Sequence, residues 1–265
     1  MPLTTIVGIC RLTGAAWRAA ISAALALLFF CLPTYATEIR LLSAAALQSV
    51  FKDVASDFER TSGHKLNITY GTVGGITHQG GETADFVIGS SLSMPTLVAD
   101  GKIKSSSLTA ICKTGIGLVV PRGNPKPIAT SVEDFKQALL AAKVLVYADP
   151  VRGGAAGVHI AKVLQRLGIS EQLKAQITLG AGGDVTEVTI AQGNGALGMT
   201  QISEIAGKST AEYVGPFPAE LQNYTVFVGG VPSGSMPSDA VTALITFLKS
   251  PTALAAIEAK GMRVD

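Results

Sequence analysis

The chain has 265 residues, of which 48% are hydrophobic and 15% are charged, with 21 Lys and Arg against 19 Asp and Glu. This near balance of charge gives no indication of a nucleic-acid or acidic-lipid partner, because both recognise a clear excess of basic groups. Two of the three cysteines, Cys10 and Cys31, precede the region that we expect to fold. Cys112 alone cannot form an internal disulfide, so burial of apolar surface must supply the stability.

Residues 1–36 have the pattern of a secretory signal peptide. Arg11 and Arg18 precede the uncharged run "AAISAALALLFFCL", and small residues suited to cleavage after Ala36 follow it. The run is shorter than the roughly 20 residues that span a bilayer, which favours a cleaved signal over a membrane anchor. We therefore expect a mature chain that begins near Thr37 and is free in the periplasm.

Short apolar runs alternate with helical patterns along the rest of the chain. This alternation is typical of parallel sheets flanked by helices. In chain order we predict strands at "IRLLSA", "KLNITYG", "DFVIGS", "LTAICKT", "IGLVVPRG", Val144 to Ala148, "ALGMT" and "YTVFVGGV". We predict helices at "LQSVFKDVASDFERTSG", "SMPTLVADG", Val132 to Ala142, Gly157 to Leu167, Ser238 to Leu248 and Pro251 to Lys260.

The last predicted strand and helices are too few to form a domain alone, so we expect them to return to the first part of the chain. The prediction is two α/β lobes, with residues 37–115 and 225–265 in lobe 1 and residues 116–224 in lobe 2. A cleft between two such lobes is a favourable place for a small ligand. Helices that begin at the cleft would offer backbone N–H groups and a positive dipole end to an anion.

One turn, in "VLVYADPVRGGAAGVHIAKVLQRLG", joins an apolar strand to a helix through a glycine cluster. Gly153, Gly154 and Gly157 permit close backbone approach, and Arg152 can bind an anion through two parallel hydrogen bonds. An ordinary strand-to-helix loop with a solvated arginine is the alternative. The G-x-G-x-x-G spacing and the Gly-Lys-Ser/Thr motif are both absent, which argues against a dinucleotide site and a P-loop.

Four stretches together resemble the periplasmic molybdate-binding proteins of ABC transporters: "LLSAAALQSVFKDVASDFERTSGHKLNITYG", "TADFVIGSS", "YADPVRGGAAGVHIAKVLQRLGI" and "ALGMTQISEI". The resemblance covers nearly the whole chain after the signal and is most specific from Tyr147 to Gly168. It implies an α/β, two-lobed type II periplasmic binding protein fold, with an anion held in the cleft between the lobes. It also implies an ABC permease as a partner, and we expect a monomer.

The site departs from that family where the family has hydroxyl groups. Ala46 replaces a serine, the turn after the second strand reads Thr72 to Gly75 in place of a serine-rich turn, and Gln201 replaces the usual tyrosine. A buried oxyanion without hydroxyl donors is costly to desolvate, which argues against molybdate. Arginine matches planar carboxylates, which favours a di- or tricarboxylate. The ligand-binding candidates are Ser43, Ala46, Thr72, Gly74, Arg152, Gly153, Gly154 and Gln201.

The motifs "TQISEI" and "YVGPFPAELQNYTVF" are also similar to those of the bacterial periplasmic aconitate isomerases. That resemblance implies an allylic proton shift between trans- and cis-aconitate, with one general acid–base group and neither metal nor organic cofactor. His78, His159 and Glu204 are the catalytic candidates, although His159 is equally suited to a solvent-facing position. Capture of a carboxylate for ABC-type uptake is our first hypothesis, because binding proteins are the larger population on this fold, and isomerisation is the alternative.

Overall fold

The computed structural model describes residues 36–71, 84–236 and 238–264, which leaves out all but the last residue of the predicted signal peptide. The first of its two sheets contains β1 (Glu38–Ala44), β2 (Lys65–Gly71), β3 (Phe86–Ser90), β4 (Thr109–Thr114), β10 (Thr225–Gly230) and β11 (Met262–Arg263), in the order β11-β4-β10-β3-β1-β2. The second contains β5 (Ile116–Pro121), β6 (Val144–Ala148), β7 (Ile177–Gly180), β8 (Ala196–Gln201) and β9 (Ala211–Pro216), in the order β7-β6-β8-β5-β9.

Helices connect many of these strands. In chain order the described α-helices are α1 (Gln48–Ser62), α2 (Met94–Ala99), α3 (Val132–Ala141), α4 (Ala155–Arg166), α5 (Ser170–Leu173), α6 (Val185–Gln192), α7 (Ile202–Ile205), α8 (Asp239–Phe247) and α9 (Pro251–Ala259). The result is a mixed α/β protein, which confirms the fold class expected from the alternation of strands and helices.

Helix α1 illustrates how the sequence pattern produces the packing. Val50, Phe51, Val54 and Phe58 recur at helical spacing and are all buried against the first sheet. The helix ends at Gly63, whose φ of 75° lies in the left-handed region that favours glycine. The predicted stretch "LQSVFKDVASDFERTSG" also ends at Gly63, so the structure confirms the predicted end of this helix.

The C-terminal elements pack with the N-terminal ones. Strand β10 pairs antiparallel with both β3 and β4, and β11 pairs with β4. Phe227, Val241, Leu244 and Ile257 share one buried cluster with Phe51 of α1 and with residues of the first sheet. The chain after residue 225 therefore returns to the first sheet, as expected, while the exact limits of the two lobes stay a prediction.

Several short elements were not predicted from the sequence. They include β7, β9, β11 and α6, and the predicted helix Gly157 to Leu167 begins two residues earlier, at Ala155. Strand β7 has only four residues and pairs with β6 alone, while β9 pairs with β5 alone. Short edge strands need little apolar surface of their own, so their sequences carry a weak periodic signal.

In the part of the chain that the structure describes, no single helix has both the length and the apolar character needed to cross a membrane. Helices α8 and α9 meet these criteria only when taken as a pair, and the pair is bent by 57°.

The first turn of α4 lies directly on the end of β6. A Cβ atom built on Gly157 would be 2.2 Å from the carbonyl oxygen of Ala148 and 2.9 Å from its carbonyl carbon. Both distances are far below van der Waals contact with backbone atoms that cannot rotate away. Glycine at position 157 is therefore required for this helix to approach the strand so closely.

We expect Gly157→Ala to lower the free energy of unfolding by about 1–3 kcal/mol, because the added methyl group forces α4 away from β6. Alanine would otherwise favour a helix interior by about 1 kcal/mol. Urea denaturation followed by circular dichroism measures the change. Gly154→Ala is the matched control, since its Cβ would meet only the Ala148 Cβ at 3.7 Å. Equal losses in both variants would contradict the proposed contact.

Candidate functional site

A cleft is lined by small residues from both sheets. Most of them follow the carboxyl ends of the parallel strands β1, β2, β6, β7 and β8, where α/β proteins commonly bind ligands. The cleft encloses about 40 Å³. Its lining consists of Ala44, Ala45, Ala46, Gly71, Ala148, Gly154, Ala155, Ala156, Gly157, Gly182, Gly183, Thr200, Gln201, Glu204 and Phe227.

Three described helices of eight residues or more, α1, α4 and α6, have no side-chain cap. Helices α4 and α6 begin beside the cleft, and α1 follows a 3-10 turn, Ala45–Leu47, that begins there and is also uncapped. The other three described helices of that length are each capped by a serine, Ser131, Ser238 or Ser250. The first N–H groups of a helix need hydrogen-bond partners. Uncapped helix starts around one cleft are suited to an anionic ligand.

Glu204 brings a titratable group into this lining. It is partly buried, the hydroxyl of Thr200 donates to its Oε2 atom, and the backbone N–H of Gln201 also donates to the carboxylate. Burial raises the pKa of Glu204 to about 7 against the effect of these two hydrogen bonds, and the negative charges of Glu187 and Asp184 raise it further. A carboxyl group with this pKa exchanges protons readily at neutral pH.

Glu204 also has a structural role. It is the third residue of α7, and its carboxylate accepts from the N–H of Gln201 at the N-cap, as in a capping box. The backbone carbonyl of Glu204 accepts from Thr186 Oγ1 at 3.1 Å. The position of the carboxyl group is therefore fixed by contacts that do not depend on a ligand.

Gln201 lies at the end of β8 and is 5% exposed. Its Nε2 atom donates to Thr225 Oγ1 at 3.1 Å, and within the described structure its Oε1 atom has no hydrogen-bond partner. The reversed amide fits equally well, because the Thr225 hydroxyl can then donate to Oε1. In that orientation Thr225 no longer uses the amide N–H groups of Gln201.

The structure brings together only some of the predicted site residues. Ala46, Gly154, Gln201 and Glu204 line the cleft. Ser43 is fully buried, and its hydroxyl donates to the Ala44 carbonyl at 3.3 Å. Arg152 and Gly153 are exposed at the tip of the turn and are not part of the lining, while Thr72, Gly74 and His78 lie outside the described residues.

His159 lies away from the cleft. Its Nε2 atom is 2.8 Å from the backbone carbonyl oxygen of Leu221, and the residue is not part of the cleft lining. The ring is held by the segment that follows β9, so the position has a packing explanation. The structure thus brings one catalytic candidate, Glu204, to the cleft and places His159 elsewhere.

Sequence reasoning missed Thr200, Gly182, Gly183 and Phe227, which all line the cleft. The two glycines follow β7 in the stretch "TLGAGGDV" and precede α6. This is the same strand, glycine and helix pattern that identified the turn at Gly154, and it could have been found by that signal. Within the described residues, no group of three or more His, Cys, Asp or Glu side chains could hold a metal ion.

A model of the bacterial extracellular solute-binding proteins matches residues 39–263, from β1 to β11. The chain belongs to this family. It is 29% identical to an aconitate isomerase from a Pseudomonas species over 235 residues, which are 86% of this chain and 88% of that protein. It is 28% identical to the molybdate-binding protein ModA of Azotobacter vinelandii over 235 residues, 85% of this chain and 90% of that protein.

The fold is similar to that of solved binding proteins. The periplasmic molybdate-binding protein of Azotobacter vinelandii matches it with a TM-score of 0.71 at 17% identity, over 86% of this chain and 99% of that one. This likeness confirms the expected similarity to two-lobed periplasmic binding proteins. Family membership also confirms the resemblance on which that expectation was based.

The raised pKa of Glu204 predicts a pH-dependent contribution to stability. Between the ordinary glutamate value of 4.5 and about 7, the folded protein binds a proton that the unfolded chain does not. This stabilisation is fully present below pH 4.5 and is lost as the pH rises to about 7. Glu204→Gln cannot ionise and should lack it.

We expect the stability of the natural protein relative to Glu204→Gln to be greater at pH 5 than at pH 8, by on the order of 1–3 kcal/mol. Urea denaturation of both proteins at both pH values measures this difference. The glutamine variant is itself the control for all other titrating groups. A relative stability that is the same at pH 5 and pH 8 would show that Glu204 has an ordinary pKa.

Proposed function

We propose that the chain binds a small di- or tricarboxylate in the cleft and catalyses a cofactor-free proton shift on it, as an aconitate isomerase. The observation that carries this proposal is the carboxyl group of Glu204, whose pKa burial raises to about 7, in a cleft otherwise suited to anions. A site that only holds an anion gains nothing from a carboxylate, which repels the ligand whenever it is ionised. A proton-transfer enzyme needs such a group.

The anion-binding part of the site consists of backbone groups. The uncapped starts of α4 and α6 and the turn at Ala45 and Ala46 would hold the carboxylates of the ligand. Fixed N–H donors also stabilise the charge that develops when a carbon next to a carboxylate loses a proton.

The proposed chemistry uses one acid–base group. The ionised carboxylate of Glu204 removes a proton from the methylene carbon, and the electron pair of that C–H bond shifts the double bond by one position. Protonated Glu204 then returns a proton to the carbon at the other end of the allylic system. Reactant and product have the same composition, so the step needs no oxidant and no net proton.

The comparison with known proteins supports this choice of reaction. The aconitate isomerase relative matches 86% of this chain and 88% of its own length. The sequence also lacks the serine of the molybdate family at Ala46, which lines the cleft here. Both observations favour an unsaturated tricarboxylate over a compact oxyanion.

We expect Glu204→Gln to reduce conversion of trans- to cis-aconitate by about 10²–10⁴-fold, because the variant has no general acid–base group. Proton NMR of the reaction mixture measures the rate. In the natural protein kcat/KM should rise with pH to a plateau above about 7, as the base form appears. Gln165→Glu, at an exposed position of α4, is the control variant and should keep the activity of the natural protein. Full activity in Glu204→Gln would refute the role of Glu204 as the general acid–base group.

A second candidate function is capture of a small carboxylate for ABC-type uptake. The family model, whose members are extracellular solute-binding proteins, favours it. A protein that only captures its ligand needs affinity and no acid–base group. For this function the important question is whether Arg152 contributes to the affinity for the ligand. For either function we infer export by the N-terminal signal, a periplasmic location and a monomeric protein.

Arg152 provides the test of this second candidate. If it reaches a ligand carboxylate, Arg152→Ala should weaken binding of the saturated tricarboxylate tricarballylate by about 10- to 150-fold, with partial recovery in Arg152→Lys. Isothermal calorimetry measures both, and molybdate should bind poorly to all three proteins. Arg166→Ala, at the far end of α4, is the matched control. Unchanged affinity in Arg152→Ala would assign the residue to an ordinary exposed turn.

A further inference from the structure

A second cavity lies on the other side of Glu204 from the cleft. It has a volume of about 260 Å³ and is lined by charged and polar side chains from α1, from the segment after α7 and from the end of α9. We call it the rear cavity, and the residues that matter here are Lys52, Asp53, Ser203, Ala206, Lys208 and Lys260. Its size is sufficient for several water molecules.

Three residues border both the cleft and the rear cavity: Ala45, Gly183 and Glu204. A Cβ atom built on Gly183 would be 2.7 Å from the Cβ of Ala45 and 3.9 Å from Oε1 of Glu204. The partition between the two cavities is therefore one residue thick. Glu204 is the one titratable group among these three residues, so its carboxyl group is within reach of both spaces.

The charges of the rear cavity are largely balanced. Lys260 forms an ion pair with Asp53 at 2.6 Å, and Lys208 forms one with Glu187. Ser203 is fully buried, and its hydroxyl has no hydrogen-bond partner in the described structure. A roomy cavity with polar walls and an unsatisfied hydroxyl beside it is the kind of space that water fills.

We propose that the rear cavity is the route by which Glu204 exchanges its proton with solvent water while a ligand occupies the cleft. The inference rests on the proposed isomerase function. When Glu204 has taken a proton from the substrate carbon, that proton has two fates. It returns to the other end of the allylic system, or it passes to a water in the rear cavity, which supplies another proton in exchange. Neither fate changes the number of protons in the reaction.

The test is isomerisation of trans-aconitate in D2O, with the deuterium content of the cis-aconitate measured by mass spectrometry after short reaction times. We expect product from the natural protein to contain solvent deuterium. Ala206→Phe places an aromatic ring in the rear cavity and should lower the deuterium fraction several-fold, because the original proton is then returned. The fraction reports the competition between proton exchange and proton return, and it does not depend on the amount of active enzyme. Ala206→Leu is a smaller substitution in case the phenylalanine variant does not fold.

Ala219→Phe is the matched control, since it fills a different cavity that shares no residue with the cleft. Its product should have the deuterium content of the natural protein. An equal deuterium fraction in the natural protein and in folded Ala206 variants would overturn the rear route and leave the isomerase function intact. An absence of product from the natural protein would refute the isomerase function, and this inference with it.

Discussion

The pairing of β10 with both β3 and β4 is the interaction on which the rest of the architecture depends. Strand β10 lies between β3 and β4, so the first sheet is not continuous without it. The entire second sheet is inserted in the chain between β4 and β10, so the chain passes between the sheets twice. The returning strand also contributes to the cleft, through Phe227 in the lining and Thr225 as the partner of Gln201. The first sheet and the cleft therefore depend on the same strand.

The cleft is lined mainly by alanine and glycine, so backbone groups form much of the surface that it offers to a ligand. Alanine and glycine at the ends of β1, β6 and β7 expose N–H groups that bulkier residues would cover. Serine caps are present on α3, α8 and α9 but absent from the long helices that begin at the cleft. A cap satisfies a helix start at all times, whereas a ligand does so only when bound. Among the described helices of eight residues or more, those that begin beside the cleft therefore keep N–H donors that no side chain caps.

The sequence predicted well the elements that bury a broad apolar face, and less well those that do not. Strand β6 and helix α1 were found with nearly correct limits because their apolar positions recur over several turns or residues. Within the turn that follows β6, the sequence could not distinguish Arg152, at the exposed tip, from Gly154, in the lining. Helical spacing likewise permits His159 to face either side, and only the contact with the Leu221 carbonyl decides it. Orientation is set by neighbours distant in sequence, which no local pattern contains.

Two opposing requirements meet at Glu204. Glu204 caps α7, and hydrogen bonds from the N–H of Gln201 and from Thr200 stabilise its ionised form. Burial removes the carboxyl group from water and favours its neutral form. Burial outweighs these hydrogen bonds and brings the pKa of Glu204 to about 7, so both forms are populated near neutral pH, and the charge of a bound anion shifts the balance to the protonated form. Proton removal from a substrate nevertheless requires the ionised form. In the proposed isomerase reaction, the N–H groups at the cleft would have to neutralise the ligand carboxylates strongly enough to keep Glu204 basic. Backbone dipoles can do so without a positive side chain that would pair with Glu204 itself.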